Sequence, residues 1–186
     1  MKLVQLMLAG VMMAGCAMKK AAPAEGGRYP EAMKQLAEAG TEEKRFYALN
    51  NAGTEAFKAG RLDEARAYAE EQAALLPKYK GDWNYGNAVH RTNTVLGRLA
   101  LREGRMEAAE AYLLKSAETP GSPQLQSFGP SMALARELAE KGRRDVVINY
   151  LGLCAKFWKM EGGRLEKWGG ALREGKTPDF LPNAGY

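Results

Sequence analysis

The chain reads as an all-α protein, and three observations lead there. Val/Ile/Thr-rich runs with period-two alternation are scarce. The twenty-one glycines and eight prolines fall mainly between apolar periodic segments, where they stop and start helices. One local pattern also recurs three times: Gly60-Arg61-Leu62-Asp63-Glu64-Ala65, Gly104-Arg105-Met106-Glu107-Ala108-Ala109 and Gly142-Arg143-Arg144-Asp145-Val146-Val147.

Each copy of that pattern has the same physical sense. The glycine ends one helix in a left-handed turn, the acid sits in the first turn of the next helix near its positive dipole end, and the small apolar residue lets the two helices approach. Seven residues before the glycines stand Gly53, Gly97 and Ala135, again small. Nine residues after them come Ala69, Leu113 and Leu151, on the same seam. Helix, glycine stop and second helix are most compact in the stretch Leu96 to Tyr112.

The remaining segments follow in order. Residues 1–15 carry one cation, Lys2, ahead of an uncharged and largely apolar run too short to span a bilayer comfortably, the signature of a signal peptide. Residues 16–28 are small and polar and broken by Pro23, Gly26 and Gly27, which predicts a flexible tether. Tyr29-Pro30 opens a short amphipathic helix over about 30–39, with Met33, Leu36 and Ala37 on one face. The helical pairs occupy about 46–79, 86–120 and 128–160. A last helix over about 163–174 ends at Ala171-Leu172-Arg173-Glu174-Gly175, which echoes Ala100-Leu101-Arg102-Glu103-Gly104. Residues 177–186, with Pro178 and Pro182, are expected to be a surface tail.

Met13-Ala14-Gly15-Cys16 resembles the lipobox of bacterial lipoproteins, with methionine where leucine is usual. An ordinary signal peptide that contains a cysteine is the other reading. The resemblance implies that Cys16 becomes an acylated N-terminus and a membrane anchor, and Ala17 after it favours the outer membrane, facing the periplasm. The glycine-centred units resemble the tetratricopeptide repeat, a helix-turn-helix of about 34 residues. Leu49, Ala52, Gly53, Phe57, Gly60, Ala65 and Pro77 stand at signature positions of the first copy. Asn93 in the second and Val147 in the third depart from the pattern. The resemblance implies a right-handed α-solenoid of about three repeats, residues 29–176, closed by N- and C-terminal capping helices and used to bind a protein or peptide partner. The spacings of 44 and 38 between turn glycines exceed the repeat length, so loops are inserted at Lys78–Tyr85 and Thr119–Pro130. Those inserts, W-N-Y-G-N-A-V-H and T-P-G-S-P-Q-L with F-G-P, also resemble a group of bacterial repeat proteins to which no activity attaches.

Two places present candidate binding residues. First helices of such repeats line a concave groove, and Asn50, Lys58, Arg91, Thr94, Arg98, Arg102 and Arg136 fall on them. Guanidinium groups there suit an acidic peptide or a terminal carboxylate. The other reading is a solvated stripe balanced by Glu103 and Glu107. The second place gathers Trp83, Asn87, His90, Gln124 and Phe128 from the two inserts and the start of the helix between them. These make either a small polar pocket, ligand-binding or weakly catalytic, or a set of caps bridging the long connection, with Trp83 filling its core.

Chemistry is sparsely represented. One histidine and, beyond Cys16, one cysteine (Cys154) exclude multi-His and Cys-rich metal sites, and no nucleophile elbow, phosphate loop or dinucleotide fingerprint occurs. No catalytic residue, metal or cofactor is expected. Removal of residues 1–15 leaves 26 basic against 22 acidic side chains, a charge of +4. The aromatics do not interleave with the basic stripe, which argues against nucleic acid.

Overall fold

The computed structural model describes residues 27–185. The signal peptide, Cys16 and all but the last two residues of the expected tether lie outside them. The described residues form nine α-helices and one 3-10 turn, with no strand among them. The fold is all-α, and no described helix is long and apolar enough to cross a membrane.

The helices are α1 (Tyr29–Ala37), α2 (Glu42–Lys58), α3 (Leu62–Leu75), α4 (Tyr85–Arg102), α5 (Met106–Ala117), α6 (Pro123–Ser127), α7 (Ala133–Glu140), α8 (Arg144–Cys154) and α9 (Arg164–Arg173). They pack as three antiparallel pairs, α2 with α3, α4 with α5 and α7 with α8. The first helices of the pairs stack in the order α2, α4, α7, while α1 covers α2 and α9 covers α8. Helix α2 begins four residues before the first repeat was placed, because Thr41 caps it, its hydroxyl accepting from Lys44 N–H at 3.2 Å, with Glu42 and Glu43 in the first turn.

The three turn glycines have one geometry. Gly60, Gly104 and Gly142 have φ of 74°, 74° and 80°. The following N–H of Arg61, Arg105 and Arg143 closes each turn on the carbonyl five residues back, that of Ala56, Ala100 and Leu138, at 2.9, 2.9 and 3.0 Å. This double constraint, a left-handed residue plus a six-to-one hydrogen bond, satisfies the last carbonyls of the helix and reverses the chain. Gly175 repeats it, with φ of 80° and Lys176 N–H on Ala171 carbonyl at 2.9 Å, although among the described residues no partner helix follows.

Small residues let the pairs close. Ala65, Ala109 and Val147 are fully buried at the start of the second helices. At Gly97 a Cβ would lie 2.4 Å from Leu134 Cδ2 and 3.0 Å from Tyr112 Cβ, so α4 meets both its partner helix and the next first helix there. A buried polar link fixes the stacking of the first two pairs. Gln72, 1% exposed, donates to Phe46 carbonyl at 3.0 Å and accepts from the Thr92 hydroxyl at 2.8 Å. An unmet amide in that position costs about 1–3 kcal/mol, so a slipped register is disfavoured.

The last segment corrects an expectation. Residues 177–185 are not a surface tail: Phe180 is wholly buried, its ring 5.3 Å from that of Trp168, and Ala184 is buried too. Trp168 and Leu172 on α9 have no further helix to cover them, and Phe180 takes that place. The two prolines break the helix without lifting the chain from the core.

Candidate functional site

Helices α1, α2 and α4, the second insert and the segments around Met160 and Pro182 line a cavity of about 620 Å³. Its floor is α2 and α4, through Thr54 and Phe57 on one and Thr94 and Val95 on the other. At one end stands α1, with Glu31 and Gln35 preceded by Arg28. At the other stand Leu125 and Phe128, then Met160 and Arg164, then Pro182 and Asn183.

Helix α4 supplies the cavity's key side chain. His90 is buried, and both ring nitrogens meet backbone: Nδ1 lies 3.1 Å from Ser116 carbonyl, and Nε2 accepts from Ser131 N–H at 2.9 Å. Those partners require the neutral ring with its proton on Nδ1. Burial pushes its pKa down to about 4, with the nearby Arg91 charge adding to the effect. His90 therefore pins both ends of the 119–130 connection to α4. Neutral and occupied on both nitrogens, it offers no proton to a ligand at neutral pH.

One turn earlier, Asn87 holds the middle of that connection. Its amide donates to Asn84 Oδ1 at 2.8 Å and to Gln124 Oε1 at 3.0 Å, and its oxygen accepts from Ser122 Oγ at 2.7 Å. Ser122 in turn caps α6 by accepting from Leu125 N–H at 3.1 Å. The connection lies so close to α4 that a Cβ on Gly86 would be 2.0 Å from Gly121 carbonyl oxygen. The structure thus brings Asn87, His90, Gln124 and Phe128 to the cavity, and gives Asn87 and His90 the bridging role as well. Trp83 is elsewhere: it does not fill a core but stands 57% exposed with its ring 5.7 Å from that of Tyr47.

The groove residues divide in the same way. Lys58, Arg91, Thr94 and Arg98 line the cavity, so most of the two predicted places are one site. Asn50 is buried behind the floor, while Arg102 and Arg136 fall outside the lining. Arg102 lies over the Phe57 ring at 5.6 Å, and Arg136 pairs one turn along its own helix with Glu140 at 3.6 Å. The lining cations are already engaged within the chain. Arg98 Nη2 meets Glu137 Oε1 at 2.6 Å and its guanidinium covers Phe57 at 4.3 Å, joining α2, α4 and α7. Arg91 donates to Asn51 Oδ1 at 2.7 Å, and Lys58 meets Glu55 at 3.0 Å. With Arg28 and Arg164, five cations line the cavity against Glu31 and Glu55, leaving a positive balance.

Sequence reasoning missed the end walls. Arg28 belongs to the expected tether, Glu31 to a helix read only as a cap, and Met160, Pro182 and Asn183 to segments with no motif. Gly86 carried a usable signal: a glycine in the first turn of a helix, where no turn requires one, marks the close approach of another backbone.

Among the described residues, no group of three His, Cys, Asp or Glu is placed to hold a metal ion. Cys154 is buried, with its thiol pushed up to about 12 by burial, so it is a packed core side chain. Comparisons of the chain with protein-family models, with curated proteins and with solved structures found no match.

Proposed function

We propose that this chain is a tetratricopeptide-like envelope lipoprotein, held at the outer membrane through acylated Cys16, that binds a protein or peptide partner in its concave cavity and performs no catalysis. The observation that carries the binding reading is the cavity itself. It is about 620 Å³, lies along α2 and α4, and unites apolar floor residues with a surplus of positive charge. That combination favours a ligand with an apolar body and an acidic group. The repeated Gly-Arg-acid turn and its common closure support the repeat reading, and Met13-Ala14-Gly15-Cys16 supports the anchor.

Thr54 offers the cleanest test. It lies on the floor, partly exposed, and its hydroxyl bonds only the carbonyl of Asn50 in its own helix at 3.1 Å. Thr54→Trp should fill the cavity without touching the Arg98–Glu137 pair. Panning of an acidic peptide library against the full chain should yield binders that the Thr54→Trp chain loses. Equal binding by both would remove the cavity as the site.

A second reading rests on the end walls. A groove that runs between repeats would be open, whereas α1 and residues 182–183 stand at the ends of this one. A volume within the small-molecule range then favours a compact anionic ligand over a long peptide. Thermal shift of the full chain against peptidoglycan fragments and periplasmic metabolites separates the two: a stabilisation abolished by Thr54→Trp selects the compact ligand.

A further inference from the structure

Few large apolar side chains are exposed among the described residues, and two of them, Phe128 and Met160, line the cavity, while a third, Leu181, directly precedes its lining residue Pro182. Phe128 is 71% exposed, Met160 67% and Leu181 60%. They come from three separate segments that hydrogen bonds hold together. Met160 N–H donates to Gln126 carbonyl at 3.2 Å, and the Asn183 amide donates to Phe128 carbonyl at 2.9 Å and Pro130 carbonyl at 3.1 Å. Met132 N–H closes the arrangement on Asn183 carbonyl at 2.9 Å. The rim is therefore a built surface of fixed loops that leaves these apolar side chains largely exposed.

Basic residues accompany it. Lys156, Lys159 and Arg164 flank Met160 in the chain, and the first two are exposed. Arg164 is held by donation to Glu161 carbonyl at 2.9 Å and by the Trp158 ring at 5.8 Å. Glu161, the one acid between Lys156 and Arg164, accepts from Leu165 N–H at 3.0 Å, and Asp179, on the Leu181 segment, accepts from Leu181 N–H at 3.2 Å. Apolar tips ringed by Lys and Arg suit the boundary between acyl chains and anionic headgroups.

We propose that the Phe128–Met160–Leu181 rim is a membrane-docking surface that seats on an anionic bilayer, with Lys156, Lys159 and Arg164 meeting the headgroups. This rests on the reading of Cys16 as the lipid anchor. Docking would aim the cavity mouth at the bilayer surface, so that a ligand is taken from or presented at the membrane.

The test uses the full acylated chain on vesicles of phosphatidylethanolamine and phosphatidylglycerol, with phosphatidylcholine vesicles for comparison. A Met160→Trp reporter should shift to shorter emission wavelength and be quenched by brominated lipid, more strongly on the anionic vesicles. A Leu62→Trp reporter at the start of α3, away from the cavity, should do neither. Quenching of the Met160→Trp reporter should fall roughly tenfold when Lys156 and Lys159 are both changed to Glu. A chain that stays vesicle-bound with its Met160→Trp reporter unquenched overturns the proposal. A Met160→Ser/Leu181→Ser chain with smaller mass by light scattering would also overturn it, because the rim would then be a contact between copies. Cys16→Ser reports on the anchor separately: release from membranes without reporter quenching in the acylated chain leaves the anchor and removes the rim. Retention with quenching intact removes the anchor reading and leaves the rim.

Discussion

Acidification should destabilise this protein in a window set by one side chain. His90 is the only histidine in the chain, and its folded-state pKa lies near 4 against about 6.5 when unfolded. Between those values the unfolded chain takes up a proton that the folded chain does not, so stability falls as pH falls through the window. The contribution is complete above pH 6.5 and loses nothing further below pH 4. Linkage puts the loss at about 2 kcal/mol by pH 5 and about 3 kcal/mol in all. The structural reason is that a protonated ring would present an N–H to the Ser131 N–H, donor against donor, in a buried site. Urea unfolding of the wild type and of His90→Phe at a series of pH values measures it. The variant starts weaker, because Ser116 carbonyl and Ser131 N–H lose their partner at about 1–3 kcal/mol each. Its stability should nevertheless be nearly flat from pH 6.5 to 5, where no ordinary carboxylate titrates. Parallel pH profiles for the two proteins would refute the assignment of His90 as a buried neutral bridge.

Three further outcomes are expected. Gly86→Ala should destabilise by about 1–3 kcal/mol and speed hydrogen exchange across 119–130, because its Cβ meets the Gly121 backbone, whereas Gly97→Ala should cost less because the nearest obstacle is the movable Leu134 side chain. Phe180→Ala should lose about 3–5 kcal/mol in denaturant unfolding, as for any large core ring; a loss under 1 kcal/mol would restore the surface-tail reading. Cys154 should react with a thiol reagent only at the rate of global unfolding, checked by comparing labelling with unfolding across denaturant concentration.

What could be read from the chain was whatever sits within one helical hairpin. The turn at Gly104, the acid after it, and the buried seam of Ala109 and Leu113 all follow from residues a few positions apart, because helix periodicity and glycine's left-handed turn are local physics. The α6 turn within the second insert, the 3-10 turn at Asn183–Gly185 and the late start of α7 were not legible, since glycine and proline break a helix without saying where the chain goes next.

The candidate site shows the same division. Residues 87, 90 and 94 on one face of α4, and a basic stripe from 91 to 98, were visible in the sequence, and so was the likelihood that the inserts mattered, but as two places. Their merger into one cavity depends on contacts between residues 35 to 41 positions apart, Asn87 to Ser122 and His90 to Ser131, which no local pattern encodes. The pairing of Arg98 with Glu137 is likewise a matter of which helices stack, and it converts an expected ligand-binding cation into a link between first helices. By itself, then, the sequence determined an all-α chain and the turns between its helices. Only the tertiary structure decided that the C-terminal segment enters the core, that Trp83 stands outside the site, and that α1 and residues 182–183 wall the cavity, because those depend on which apolar faces remain uncovered after the helices have packed.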